Sequence, residues 1–426
     1  MAKRKGFLVA LGLLMIAIMV VATGCGGSST GSDSQKKVAE VKIGGLWPLS
    51  GGASTIGNQC KDGMEYAIEE INRNGGIKSM GGAKMVPVWA DTQSKPDVGV
   101  SQADRLLSKE GVKLLLGAYQ SGVTFPVTDV AERYGIPMLV NGAVKNEITE
   151  RKYKNVFRIC NKASYDVNEM AQSLADFSKV TGQTVKTIGI IYDSSDWGAD
   201  TARILRERVK ELNWEIVMDE PVTTGQTDLS PSILKLKNAS PDVVFLALYT
   251  PEHILFNKTF AANKVDLRFG IMSVGAGSED PAFYKAVPDA MTEYIFVQDD
   301  WDTGGPAREE WKGQLAKACK EKYGYDMMTY WAQGYVTAYV AKEALEKAGS
   351  TDPEALRKAL AGIDISSGPA MLLGYQRIKF DENGQNTFAH GTISQRQKGQ
   401  RVVLWPDANK TPGGKVILPV PTWAER

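Results

Sequence analysis

The sequence predicts an α/β protein made of two doubly wound parallel-sheet lobes, and three observations predict it. Apolar runs without polar alternation recur at Leu114-Leu115-Leu116, Thr187 to Tyr192 (TIGIIY) and Val243 to Leu248 (VVFLAL). Such runs suit strands covered on both faces, as in a parallel sheet between helix layers. Amphipathic segments separate them, so strand and helix alternate at intervals of roughly 35 to 45 residues. The third observation is length: 426 residues are too many for one small core and about right for two.

Met1 to Gly24 carries Lys3, Arg4 and Lys5, an apolar run from Phe7 to Ala22, and Thr23-Gly24 ahead of Cys25. A basic start, an apolar run too short to span comfortably and small residues before a cysteine read as a secretory leader over 1–24. Gly26 to Ser34 (GGSSTGSDS) has too little apolar content to fold, which makes 25–38 a tether. Removing the leader leaves 402 residues with 47 basic and 49 acidic side chains, and that balance favours no nucleic-acid partner. Cys60, Cys160 and Cys319 allow at most one disulfide, in any of three pairings, and their spacing resembles no zinc site.

Val41 to Leu46 is the first strand, followed by the loop Trp47 to Gly57 and a helix with Met64, Ala67, Ile68 and Ile71 on one face. Met85 to Ala90 is the second strand, and a helix from Pro96 to Lys109 leads to Leu114. After that third strand Ser121 stands at a helix N-cap, Pro126 is tolerated in the first turns and Gly135 ends the helix. Met138 to Val140 is a short strand opening into the loop Asn141 to Val144. Asn155 to Cys160 reads as a strand that leaves the first lobe, and Asn161 to Tyr165 as a hinge.

The wind then repeats. Thr187 to Tyr192 is followed by the loop Asp193 to Gly198 and a helix from Ala199 to Leu212; Trp214 to Met218 is the next strand. Asp228 or Ser230 caps a helix, Val243 to Leu248 leads into Tyr249 and another helix, and Phe269 to Val274 precedes the loop Gly275 to Ser278. Tyr294 to Gln298 is expected to cross back to the first lobe. Helices at Trp311 to Tyr323, Tyr330 to Ala348 and after Asp352-Pro353 follow, and the tail holds short strands around the turn Asp381-Glu382-Asn383-Gly384. That turn resembles the start of a calcium loop but lacks the glutamate at its far end.

Gly45-Leu46-Trp47-Pro48-Leu49-Ser50-Gly51, Gly57, Gly63, Ala67 and Ile71 to Ile77 (INRNGGI) resemble the N-terminal signature of bacterial type I solute-binding proteins of the Leu/Ile/Val-binding family of ABC transporters. Gly117, Ser121, Pro126 and Gly135-Ile136-Pro137 match as well, and the resemblance runs over residues 40 to 405. It implies a periplasmic binding protein-like type I fold, with lobe one at 39–159 and 298–370, lobe two at 160–297 and 371–426, and a multi-segment hinge. Ala22-Thr23-Gly24-Cys25 resembles a lipobox, which implies an extracytoplasmic protein anchored to the membrane by lipid on Cys25.

In an open parallel sheet ligands bind outside the carboxyl ends of the strands. The candidate ligand-binding residues are therefore Ser54, Thr55, Ile56, Tyr119, Ser121, Gly142 and Val144 from lobe one, with Trp197, Tyr249 and Gly275 from lobe two. The helix start at Ser121 suits a carboxylate, although a serine there can also serve only as a cap. The resemblance implies that Ser121 holds an amino acid's α-carboxylate. The family's ammonium ligands are a threonine where this chain has Val144 and an acid where it has Gly275. Glu279 or Asp280 could replace the acid; otherwise the pocket would favour an apolar or aromatic carboxylate, or an amide.

No catalytic residue is singled out. His253, in a helix's first turn, is expected at the surface, His390 sits in no dyad, and the chain has no G-x-S-x-G elbow, no P-loop and no G-x-G-x-x-G after a strand. No cofactor or metal is expected. The reading is a solute-binding lipoprotein that captures a branched-chain amino acid or related small carboxylate and hands it to ABC permease subunits. The alternatives are a ligand-sensing binding protein for aromatic carboxylates or amides, and a secreted α/β hydrolase.

Overall fold

In the computed structural model, which describes residues 39–301 and 309–426, two sheets are wound in the same order. The leader, the tether and Cys25 lie outside the described residues. The chain starts with β1 (Glu40–Trp47), α1 (Ser54–Arg73), β2 (Lys84–Asp91), α2 (Pro96–Ser108), β3 (Leu114–Gly117), α3 (Ser121–Tyr134), β4 (Met138–Val140), α4 (Glu147–Glu150) and β5 (Val156–Arg158). These five strands form a wholly parallel sheet ordered β2-β1-β3-β4-β5. All of β3, β4 and β5 is buried, as unalternated apolar runs require.

The second wind runs α5 (Ala163–Thr181), β6 (Thr187–Asp193), α6 (Asp196–Glu211), β7 (Glu215–Val222), α7 (Ser230–Ala239), β8 (Val243–Ala247), α8 (Thr250–Ala262), β9 (Gly270–Val274), α9 (Pro281–Ala286), α10 (Asp289–Thr292) and β10 (Phe296–Asp299). Its parallel strands are ordered β7-β6-β8-β9-β10, the same permutation as in the first sheet. In both sheets the order reverses between the first and third strands of the wind, so crevices open beyond their carboxyl ends. The segment Tyr294 to Gln298, expected to cross between lobes, instead feeds β10, which pairs with β9 and is fully buried. The chain crosses only after this strand.

After β10 come α11 (Glu310–Tyr323), α12 (Thr329–Ala348) and α13 (Pro353–Ala361), then the short pair β11 (Asp364–Ile365) and β12 (Ile378–Lys379). Asp352 caps α13 by accepting the Ala355 N–H at 2.9 Å. Helix α12 packs against α1, and the close approach falls on glycines: a Cβ on Gly63 would lie 2.0 Å from the Trp331 carbonyl oxygen, and one on Gly334 2.2 Å from that of Cys60. Strands β13 (Thr392–Gln397) and β14 (Gln400–Trp405) extend the second sheet antiparallel beyond β10.

Other expectations change in detail. Leu229, not Asp228 or Ser230, occupies the N-cap position of α7, and Asp228 instead accepts the Ser230 N–H at 2.8 Å. The strand expected at Trp214 to Met218 runs on to Val222. Asp381 closes its turn by accepting the Asn383 and Gln385 N–H groups, both at 2.9 Å, and that turn pairs with Arg158 at the edge of the first sheet. Cys60, Cys160 and Cys319 are all buried free thiols. No helix among the described residues is long and apolar enough to cross a membrane.

Candidate ligand-binding site

A recess lies between the carboxyl edges of the two sheets. From the first sheet it takes Gly142 and Val144, on the loop after β4. Gly142 has φ +74°, and a Cβ there would meet Tyr119 at 3.0 Å, so a bare backbone forms this wall. From the second sheet come Trp197 in the first turn of α6, Val274 and Gly275 at the end of β9, and Glu279 in the short 3-10 helix that follows. Segments passing between the sheets supply Cys160, Asn161 and Asp300, the first turn of α5 supplies Asp166, and α12 adds Tyr330 and Gln333.

Acids dominate the chemistry. Asp166, Glu279 and Asp300 are each no more than 5% exposed, and the recess lining contains no Lys, Arg or His among the described residues. The Asn161 amide N–H₂ bridges Asp166 (2.9 Å) and Asp300 (3.3 Å), and Gln298 donates to Asp166 at 3.0 Å. Gln333 and Tyr375 donate to Asp300 at 2.7 and 2.6 Å. Because both amides face the acids with their N–H₂ groups, the Asn161 and Gln333 carbonyl oxygens remain buried without a partner.

Burial penalises these negative charges. It raises the Asp300 carboxyl to about 6 against the lowering pull of Tyr375 and Gln333. Asp166 is pushed well above the carboxylate range by burial and then by Glu169 and Asp300, and Glu279 is raised by burial and then by Asp300. Among the described residues no group of His, Cys, Asp and Glu could hold a metal ion.

Of the residues singled out from sequence, Gly142, Val144, Trp197 and Gly275 line the recess. Tyr119 and Tyr249 stand behind it as an aromatic wall: Tyr249 lies 4.8 Å from Trp197, and Tyr119 lies 4.9 Å from Tyr330, between ring centres. Ser121 is not an N-cap. It is the first residue of α3, 1% exposed, and its Oγ accepts the Lys145 N–H at 3.2 Å. Ser54, Thr55 and Ile56 open α1 outside the recess, with Ile56 in the core. Glu279 lines the recess, whereas Asp280 caps α9 and accepts from Thr250 at 2.7 Å.

His253 is fully buried rather than exposed, because the first turn of α8 packs beneath the loop at Gly277. It contacts Ser273 at 2.9 Å and Asn257 at 3.0 Å, and burial pushes its pKa down to about 3, so it is neutral. Sequence reasoning missed Asp166, Asp300, Tyr330 and Gln333, which sit in the first turn of α5, just after β10 and on α12. A usable signal existed for Asp300: it follows a strand end, and reading Phe296–Asp299 as a strand would have placed it on the binding edge.

Residues 40–399 match the family described as periplasmic binding protein. The Leu/Ile/Val-binding protein homolog 7 of Brucella abortus is 32% identical over 405 residues, covering 92% of this chain and 96% of the relative. Among solved structures, the leucine-binding protein LivK of Thermotoga maritima has a TM-score of 0.74 at 22% identity, over 85% of this chain and 97% of its own. LivJ of Streptococcus pneumoniae, solved with isoleucine, has a TM-score of 0.74 at 21% identity, over 86% and 100%. A solute-binding protein of R. palustris, solved with benzoate, has a TM-score of 0.72 at 19% identity, over 86% and 95%.

Proposed function

The chain belongs to the periplasmic binding protein family, and from that premise we propose that it is the solute-binding subunit of an ABC importer, capturing a small solute that bears a protonated amine. The family consists of extracytoplasmic binding proteins, not enzymes. One observation carries the choice of solute: three buried acids line the recess with no cationic side chain among its described lining residues. Of the ligand types bound by similar structures, isoleucine brings an ammonium group and benzoate brings only a negative charge. An ammonium completes the acids, whereas a lone carboxylate would be desolvated beside three of them. An amine-bearing solute is therefore the first candidate.

Lobe one, built on the five-stranded sheet, and lobe two, built on the seven-stranded sheet, close on the solute about the segments near Asn161, Asp300 and Gln385. Contacts to both lobes favour the closed form, which the permease reads. Calorimetry of the full chain in mild detergent should give heat with isoamylamine and none with isovalerate, the same skeleton carrying a carboxylate in place of the amine. Equal binding of isovalerate would sink the amine reading. Cys25 is the proposed lipid-bearing residue, so Cys25→Ser is expected to move the protein from the membrane fraction to the soluble one. Retention in the membrane would show another anchor.

A further inference from the structure

We propose that the recess selects net cations, amines with no free carboxylate, and that Asp196 supplies from within the protein the anion that a zwitterion would otherwise bring. The inference rests on the reading above, that the recess holds an ammonium group. Its first support is the count of free acceptors. Asp166, Glu279 and Asp300 are joined by the partnerless carbonyl oxygens of Asn161 and Gln333, each at most 4% exposed. This is more acceptor capacity than one ammonium, with three N–H bonds, can satisfy.

The second support is that nearby cations are committed elsewhere. Arg158, fully buried, donates to Gln385 (2.6 Å), Thr149 (2.8 Å) and the carbonyls of Ala143 and Lys145. Arg401 is paired with Asp299 and donates to the Ser278 carbonyl. Lys145 is paired with Asp196 at 2.8 Å.

The start of α3 also faces an acid of the protein itself. An anion belongs at the N-terminus of α3, where the dipole is positive and the first N–H groups are free. Asp196, on the facing first turn of α6, packs beside that start, where a Cβ on Gly122 would lie 3.6 Å from the Asp196 Cβ, and its carboxylate is held by Lys145. Ser121 has its Oγ against the Lys145 N–H, and Asp200 of the same α6 accepts the Asn146 N–H at 3.3 Å. The protein's own acid thus brings negative charge beside the position, and a ligand carboxylate there would meet it as well as the acid cluster.

The test is calorimetry on the full chain in mild detergent at pH 7, with isoamylamine, leucinamide, leucine and isovalerate. Isoamylamine and leucinamide are expected to bind at least tenfold more tightly than leucine, with isovalerate silent. If leucine matches or exceeds leucinamide while isovalerate stays silent, this inference fails and the amine reading stands. If isovalerate binds as tightly as isoamylamine, or if none of the four binds, both fail. In a second arm, Asp196→Asn should narrow the leucinamide-to-leucine affinity ratio at least threefold. An unaltered ratio would remove Asp196 from the role of internal anion.

Discussion

Asp300→Asn is expected to stabilise the ligand-free protein at pH 7.5 and to weaken amine binding by about a hundredfold, the cost of removing one partner of a buried charged pair. Both effects come from one carboxyl. In the folded chain burial raises Asp300 to about 6 from its ordinary 3.8, so between those values the folded state holds a proton that the unfolded state has lost. Raising the pH through that window therefore removes stability, by up to roughly 3 kcal/mol once above the folded value. An amide at this position does not titrate. Its oxygen still accepts from Tyr375 and Gln333, so packing is retained.

Thermal unfolding of wild type and variant, followed from pH 4 to pH 8 without ligand, separates the two contributions. The wild-type Tm should fall between about pH 4 and pH 6.5, the variant should fall less, and the curves should converge near pH 4. A variant less stable than wild type at pH 7.5 would mean that Asp300 is structural, held ionised by its donors. A variant with unchanged amine affinity would mean that Glu279 and Asp166 hold the ligand without it. Holding a carboxyl out of water at a cost to the empty protein is how a binding site stores preference for a cation, the usual opposition of stability and function.

How far the fold was legible follows from the kind of signal each residue leaves. Leu114 to Leu116, Thr187 to Tyr192 and Val243 to Leu248 announce themselves because two-sided burial demands unbroken apolar runs. Strand β10 escaped because Phe296–Asp299 is half polar although wholly buried: Gln298 and Asp299 spend their side chains on Asp166 and Arg401. Gly142, Val144, Trp197 and Gly275 were within reach because the strand-end rule depends only on local order. Asp166 and Asp300 meet through Asn161, which stands 139 positions before Asp300, a juxtaposition no local pattern encodes. Ser121 misled for a physical reason, since a serine after a loop is a good cap, yet its hydroxyl is spent on the Lys145 backbone.

Gly63→Ala and Gly334→Ala are each expected to cost about 3 kcal/mol or more, because the added methyl has nowhere to go. Both glycines lie where α1 and α12 touch, and each would place its Cβ against a carbonyl on the opposite helix, 2.0 Å from Trp331 and 2.2 Å from Cys60. A backbone oxygen cannot rotate away as a side chain can, so the helices must separate and open the tightly packed layer of Cys60, Met64, Trp331 and Val336. One separation relieves both clashes. The double variant should therefore cost less than the sum of the two singles, a coupling that urea unfolding of all three would measure. Gly52→Ala is the control, since a Cβ there meets nothing within 4 Å and should change stability by no more than about 0.5 kcal/mol. The same displacement reaches the ligand, because α12 carries Tyr330 and Gln333 into the recess and Gln333 holds Asp300. Amine affinity should fall with stability in the glycine variants and stay unchanged in the control; a destabilised Gly334→Ala protein with wild-type affinity would show that α12 supports the fold without positioning the acids.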